Sequence, residues 1–177
     1  MESVVAEKNW EAARSSPPVS ELKPVEVDVI QFFVQFAGAA GQPRSVAEIY
    51  GLLFLSEKPL AMDTVIERLN LSKGSASQGL KYLQDLGAVR TVYVASDRRT
   101  HYEAVAELRK LAGRFLRQQI LSHFEDSAIR LENIAAQTQK LPAEQRKHVA
   151  ERIKLLRRWE RSGRRMLFYV VKMLDGD

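Results

Sequence analysis

Between Met62 and His101 the hydrophobic pattern switches from a helical period to a strand period, and this constrains the fold more than any other feature. MDTVIERLN places Val65, Ile66 and Leu69 on one helical face, and LSKG follows as a tight polar turn. SASQGLKYLQDLG is again helical. Ala76, Leu80, Leu83 and Leu86 share its apolar side, Gly74, Gln78 and Lys81 fall opposite, and Ser75 and Ser77 flank them. AVRTVYVA and HYEAV then read as two strands, with Ser96-Asp97-Arg98-Arg99-Thr100 expected as the charged tip between them. Asp63 is expected to cap the first helix and Ser72 the second.

Helix, turn, helix and hairpin in that order make a winged helix-turn-helix, whose second helix enters the major groove of DNA. Side-chain chemistry divides the work. The Gln78 amide both donates and accepts, matching the adenine edge, and Ser75 and Ser77 reach bases or phosphates. Lys73 and Lys81 suit phosphates, with Ser72 beside them at the helix start. Arg98 and Arg99 suit a minor groove, and Asp97 is expected to orient one of them through a short ion pair. Arg44 and Ser45, at the start of an earlier helix, are a place to hold one phosphate. The plain alternative for each of these residues is a solvated surface position.

The rest of the chain frames this segment. Residues 1–24, around SSPPVSELKP, lack periodic apolar positions and read as a flexible arm. Residues 25–105 read as the winged helix-turn-helix domain. Its first helix carries Val27, Ile30, Phe33, Val34 and Ala37, and a second runs from Pro43 to about Ser56. Residues 106–177 read as a helical dimerisation region, possessing one helix from Ala104 to Lys140, a break at Leu141-Pro142, and a last helix. The last helix has Val149, Ile153, Leu156, Gly163, Leu167, Val170 and Leu174 at steps of three, four and seven, with Glu160 interrupting. The fold class is therefore mainly α with a small β-hairpin wing and long C-terminal helices. Two such helices bury too little against one small domain, so a homodimer is expected.

Composition excludes several other classes. The 177 residues contain no cysteine, which removes disulfides and thiolate metal sites. His101, His123 and His148 lie far apart, and neither metal-ligand spacing nor a Gly-x-Ser-x-Gly elbow occurs. No enzyme, metal or cofactor is expected. No apolar run is long enough to span a bilayer, and MESVVAEKNW lacks a secretory apolar region, so the expectation is a cytoplasmic protein without a membrane partner. The net charge of +5 mildly favours a polyanionic partner, double-stranded DNA. The winged segment itself is nearly balanced. The excess lies at Arg157, Arg158, Arg161, Arg164 and Arg165, for which a solvated face is the plain explanation.

Gly41-Gln42-Pro43-Arg44-Ser45, Ile49-Tyr50-Gly51-Leu52-Leu53, Leu71-Ser72-Lys73-Gly74-Ser75, Leu86-Gly87 and Asp97-Arg98-Arg99 follow one another in an order that resembles the GbsR branch of the MarR-like regulators. The resemblance covers roughly residues 25–120. It implies a homodimeric transcription regulator, often a repressor, with the DNA helix and wing assigned above; the two-fold symmetry of a dimer leads to the expectation of a pseudo-palindromic operator. Some relatives respond to choline. An effector site of Phe115, Phe124, Trp159, Phe168 and Tyr169, caging a quaternary ammonium, is the corresponding ligand expectation. A dimer core is the plainer reading of those aromatic residues. The competing functions are a winged-helix protein-interaction module without specific DNA readout and a nonspecific DNA binder, the latter disfavoured by the balanced charge of the winged segment.

Overall fold

The structure, a computed structural model, describes residues 21–95 and 97–176. The first twenty residues of the expected arm, and Ser96 of the expected hairpin tip, lie outside the described residues. The chain divides into two units, one ending at Ala106 and the other beginning at Glu107.

The first unit runs α1 (Pro24–Ala39), α2 (Arg44–Leu55), β1 (Leu60–Ala61), α3 (Met62–Leu69), α4 (Lys73–Asp85), β2 (Val89–Val94) and β3 (Asp97–Ala104). Its core is where the apolar stripes converge. Ile49 and Leu52 of α2, Val65 of α3 and Leu80 of α4 are fully buried, each contributing about 1.5–3 kcal/mol. Close approach depends on two glycines. A Cβ on Gly51 would lie 2.9 Å from the Ile30 Cα, so the α1 and α2 backbones meet there. A Cβ on Gly79 would lie 2.6 Å from the Ile49 Cδ1, so α4 settles directly onto α2.

The helix-turn-helix joint is held by backbone geometry. Asn70 ends α3 in the left-handed region at φ 50°, a conformation asparagine tolerates better than most residues. The Leu71 N–H donates to the Ile66 carbonyl at 3.0 Å. Ser72 caps α4 as expected, its Oγ accepting the Ser75 N–H at 3.1 Å. Asp63 does not cap α3. Ala61 occupies the N-cap position, because strand β1 feeds the chain straight into the helix, and Asp63 lies in the first turn. There its charge still favours the helix dipole.

The sheet is antiparallel with order β1-β3-β2. The two-residue β1 has no periodic signal of its own; it exists because Leu60 and Ala61 pair with Tyr102 and His101. The wing differs from expectation. Asp97, Arg98, Arg99 and Thr100 are strand residues rather than a hairpin tip, because Val94 already pairs with Asp97. The next registered pair is Val92 with His101, so the intervening β3 residues form a bulge opposite Tyr93.

One buried ion pair also ties the unit together. Arg68 Nη2 of α3 meets Glu26 Oε2 of α1 at 2.8 Å, with side chains only 12% and 11% exposed. The same Glu26 oxygen accepts the Lys23 N–H at 2.8 Å, so one carboxylate closes the start of α1 and anchors α3. Tyr50 Oη donates to the Val105 carbonyl at 3.0 Å, fixing the chain beyond β3 to α2.

The second unit contains α5 (Leu108–Leu116), a π-helical turn (Arg117–Leu121), α6 (Ser122–Thr138) and α7 (Ala143–Asp175). The helix expected from Ala104 starts instead at Leu108, because Ala104 is still paired with Val89 in the sheet. Pro142 is the N-cap of α7. Ile153, Glu160, Leu167 and Val171 form the buried side of α7, and a Cβ on Gly163 would lie 2.8 Å from the Phe124 ring, bringing α6 and α7 close.

The opposite side of α7 carries a second apolar stripe. Leu155, Trp159, Met166, Tyr169 and Met173 are exposed, Trp159 by 68% and Met173 by 66%. With Ser162 they follow steps of four and three, a heptad-like seam about 27 Å long at 1.5 Å per residue. Helix α1 repeats the device in the first unit: Val25, Val29, Phe32 and Phe36 lie on one side, with Phe36 65% exposed. No described helix is long and apolar enough to cross a membrane.

Candidate nucleic-acid interface

The amino-terminal half of α4 forms the centre of the site. Ala76, Leu80 and Leu83 are buried beneath it, while Lys73, Gly74, Ser77, Gln78 and Lys81 face outward. Lys73, Ser77 and Gln78 make no side-chain hydrogen bond or ion pair among the described residues, so their polar groups are available to a ligand. Lys81 sits 4.0 Å from Asp85, a loose and solvent-exposed pair worth little. Ser75 is less open than expected. Its Oγ accepts the Ser72 hydroxyl at 2.9 Å while its N–H is capped by the same residue. The Ser75 hydroxyl hydrogen remains for an outside acceptor, which suits a phosphate. Ser72 is therefore committed to shaping the helix start.

Arg44 and Ser45 do begin α2, but Arg44 Nε donates to Glu48 Oε1 at 2.7 Å, which offsets its charge. Ser45 is half-buried. These two residues are weaker anion holders than the open start of α4.

The wing presents two different arginines. Arg98 is exposed and has no ion-pair partner among the described residues. Arg99 is clamped. Its Nε lies 3.0 and 3.1 Å from the two Asp97 oxygens, its Nη2 lies 2.6 Å from Oδ2, and its N–H donates to Oδ1 at 3.0 Å. The Arg99 side-chain bonds, followed by its backbone N–H, hold the Asp97 carboxyl well below the ordinary carboxylate range, and they raise the Arg99 guanidinium in turn. His101, buried beneath, has Nδ1 at 2.9 Å from the Arg99 carbonyl and Nε2 at 3.4 Å from Asp97. At the strand root Arg90 forms an ion pair with Glu103 across β2 and β3. The sequence pointed to the Asp97 ion pair; the His101 support was not foreseen, because it depends on the bulge.

The five aromatic residues of the expected cage fall into separate places within the second unit. Phe124 pairs with Trp159 at 5.8 Å and Phe168 with Tyr169 at 5.9 Å, while Phe115 joins neither pair. Phe168 and Tyr169 line a cleft together with Arg161, Arg164 and Arg165. Even with Arg164 paired to Glu160, the guanidiniums of Arg161 and Arg165 repel a quaternary ammonium, so this cleft has the wrong charge for the expected ligand. Among the described residues no cluster of His, Asp or Glu is arranged to hold a metal ion.

A three-stranded antiparallel sheet beside a helix-turn-helix, with long helices after it in the chain, defines a winged-helix fold. A crystal structure described as a transcriptional regulator superposes with a TM-score of 0.57 at 16% identity, covering 86% of this chain and 94% of that one. No family model matches the chain, and no curated protein does.

Proposed function

We propose that this chain is a homodimeric, sequence-specific DNA-binding transcription regulator of the GbsR/MarR-like kind, acting in the cytoplasm as a repressor on a pseudo-palindromic operator. The observation that carries the reading is the outward face of α4, where Lys73, Ser77 and Gln78 stand unpartnered on a helix whose other side is locked in the core. A helix fixed in the core holds their backbone in place, so only the side chains have to be ordered when base edges are read. Residues 25–105 act as the DNA lobe. Gln78 reads adenine, Ser77 discriminates less sharply, and Lys73, Lys81 and Ser75 grip phosphates. Arg98 is the wing's leading contact, with Arg99 acting once released from Asp97. Arg44, Ser45 and Ser72 contribute at the periphery.

Residues 106–177 act as the dimerising region, supported by the exposed seam of Leu155, Trp159, Met166, Tyr169 and Met173. An apolar stripe of this length is an unfavourable solvent surface for a monomer, and a second copy carries the same stripe for self-complementary packing. A small-molecule effector releases the operator, and the arginine-lined cleft favours an anion over a quaternary ammonium in that role.

Titrating purified protein with a selected operator and with a random duplex at physiological salt tests the reading. Two chains per operator are expected, with the specific duplex bound at least about a thousandfold more tightly. Equal affinity for both duplexes overturns it in favour of a nonspecific binder, and no binding to either favours a protein-interaction module.

A further inference from the structure

Within the second unit a cleft of about 490 Å³ lies between Leu121 and the flank of α7 that carries Arg161, Arg164, Arg165, Phe168 and Tyr169. The α7 residues sit at helical steps of three, four, seven and eight, which bring them onto one side. Leu121 ends the π-helical turn, a kind of helix irregularity frequent at functional sites.

Charge and shape narrow the occupant. Arg164 lies 3.5 Å from the buried Glu160 carboxylate and is largely neutralised by it. Arg161 spends its Nε–H on the Arg157 carbonyl at 3.2 Å but has no acidic partner among the described residues, and neither does Arg165. Two uncompensated guanidiniums call for a dianion, and their planar forks match phosphate oxygens. Phe168, more than half exposed and edge to face with the seam residue Tyr169 at 74°, offers ring surface beside that charge. A lone phosphate leaves the ring unused, and a monocarboxylate satisfies only one arginine. The volume suits a small organic molecule.

We propose that this cleft binds a small phosphomonoester joined to a planar ring, the chemistry of a nucleoside monophosphate. The site stands on the second unit alone and does not depend on the DNA-binding reading.

Calorimetric titration of the full chain with adenosine and guanosine 5′-monophosphates tests it, with inorganic phosphate, adenosine and benzoate as separate arms. Saturable binding of at least one monophosphate is expected, at one per chain, with every fragment at least tenfold weaker. The Arg161→Gln, Arg165→Gln double variant weakens the monophosphate at least tenfold, and Phe168→Leu weakens it while leaving phosphate unchanged. Should the double variant fail to fold, Arg165→Lys, which keeps the charge and removes the fork, carries the same expectation in smaller measure. Absence of saturable binding by both nucleotides, phosphate or benzoate binding as tightly as the nucleotide, or affinity unaltered by the arginine variants overturns the proposal.

Discussion

Asp97 grips Arg99 with both carboxylate oxygens and also accepts its backbone N–H, so the wing carries an arginine already occupied by its own strand. In the proposed complex a DNA phosphate would compete with Asp97 for that guanidinium. Replacing Asp97 with Asn removes both the competitor and a negative charge. The D97N chain is expected to bind all duplexes several-fold more tightly, with a salt slope steeper by about one phosphate contact. Fluorescence anisotropy across a salt series measures this, and weaker binding would mean that the clamp positions Arg99 productively.

The clamp is also a statement about pH. Because Arg99 lowers the Asp97 carboxyl, the pair's contribution is complete above the unfolded carboxylate value of about 4 and disappears only as pH falls through the lowered folded value. The ratio of wild-type to D97N affinity is therefore expected to stay constant between about pH 5 and 8. Repeating the anisotropy titrations across that range checks it; a ratio that drifts would assign control of the clamp to another titrating group.

Removing Arg68 leaves the Glu26 carboxylate buried against α1 without its guanidinium. Arg68→Ala is expected to lower unfolding stability by about 3–5 kcal/mol. Gly51→Ala, which forces α1 and α2 apart at Ile30, costs about 1–3 kcal/mol. Urea denaturation of each variant gives the values. A loss under about 0.5 kcal/mol, the ordinary scale of a surface substitution, would contradict the role assigned to either contact.

Trp159→Glu and Met166→Glu put charges into the exposed seam of α7 while leaving its buried side intact. Analytical ultracentrifugation is expected to show these variants as folded monomers and the parent chain as a dimer. Variants that sediment as the parent does would place the dimer contact elsewhere.

Much of the fold was legible because the decisive patterns are local. The inward residues of α4, Ala76, Leu80, Leu83 and Leu86, follow directly from helical spacing and are all buried. The wing was misread because Asp97 to Thr100 is polar enough to resemble a turn; side-chain bonds among Asp97, Arg99 and His101 hold it as a bulged strand. Glu26 and Arg68 could not be paired in advance, since nothing local marks two residues so distant in sequence. The second stripe on α7 was present in the sequence, but one helix with apolar residues on two sides reads as a single broad stripe until burial separates them. Arg44 and Ser75 were correctly placed at helix starts, yet their partners, Glu48 and Ser72, reduce what each offers to an outside anion.

In the proposed complex the outward face of α4 reads base sequence. Selecting duplexes bound by the full chain from a random pool, in parallel with its Gln78→Ala variant, tests it most directly. An inverted repeat is expected for the parent chain and, for the variant, the same repeat with its adenine-contacted position relaxed by about 1–3 kcal/mol. A pool that stays random, or a motif identical in both selections, would contradict it.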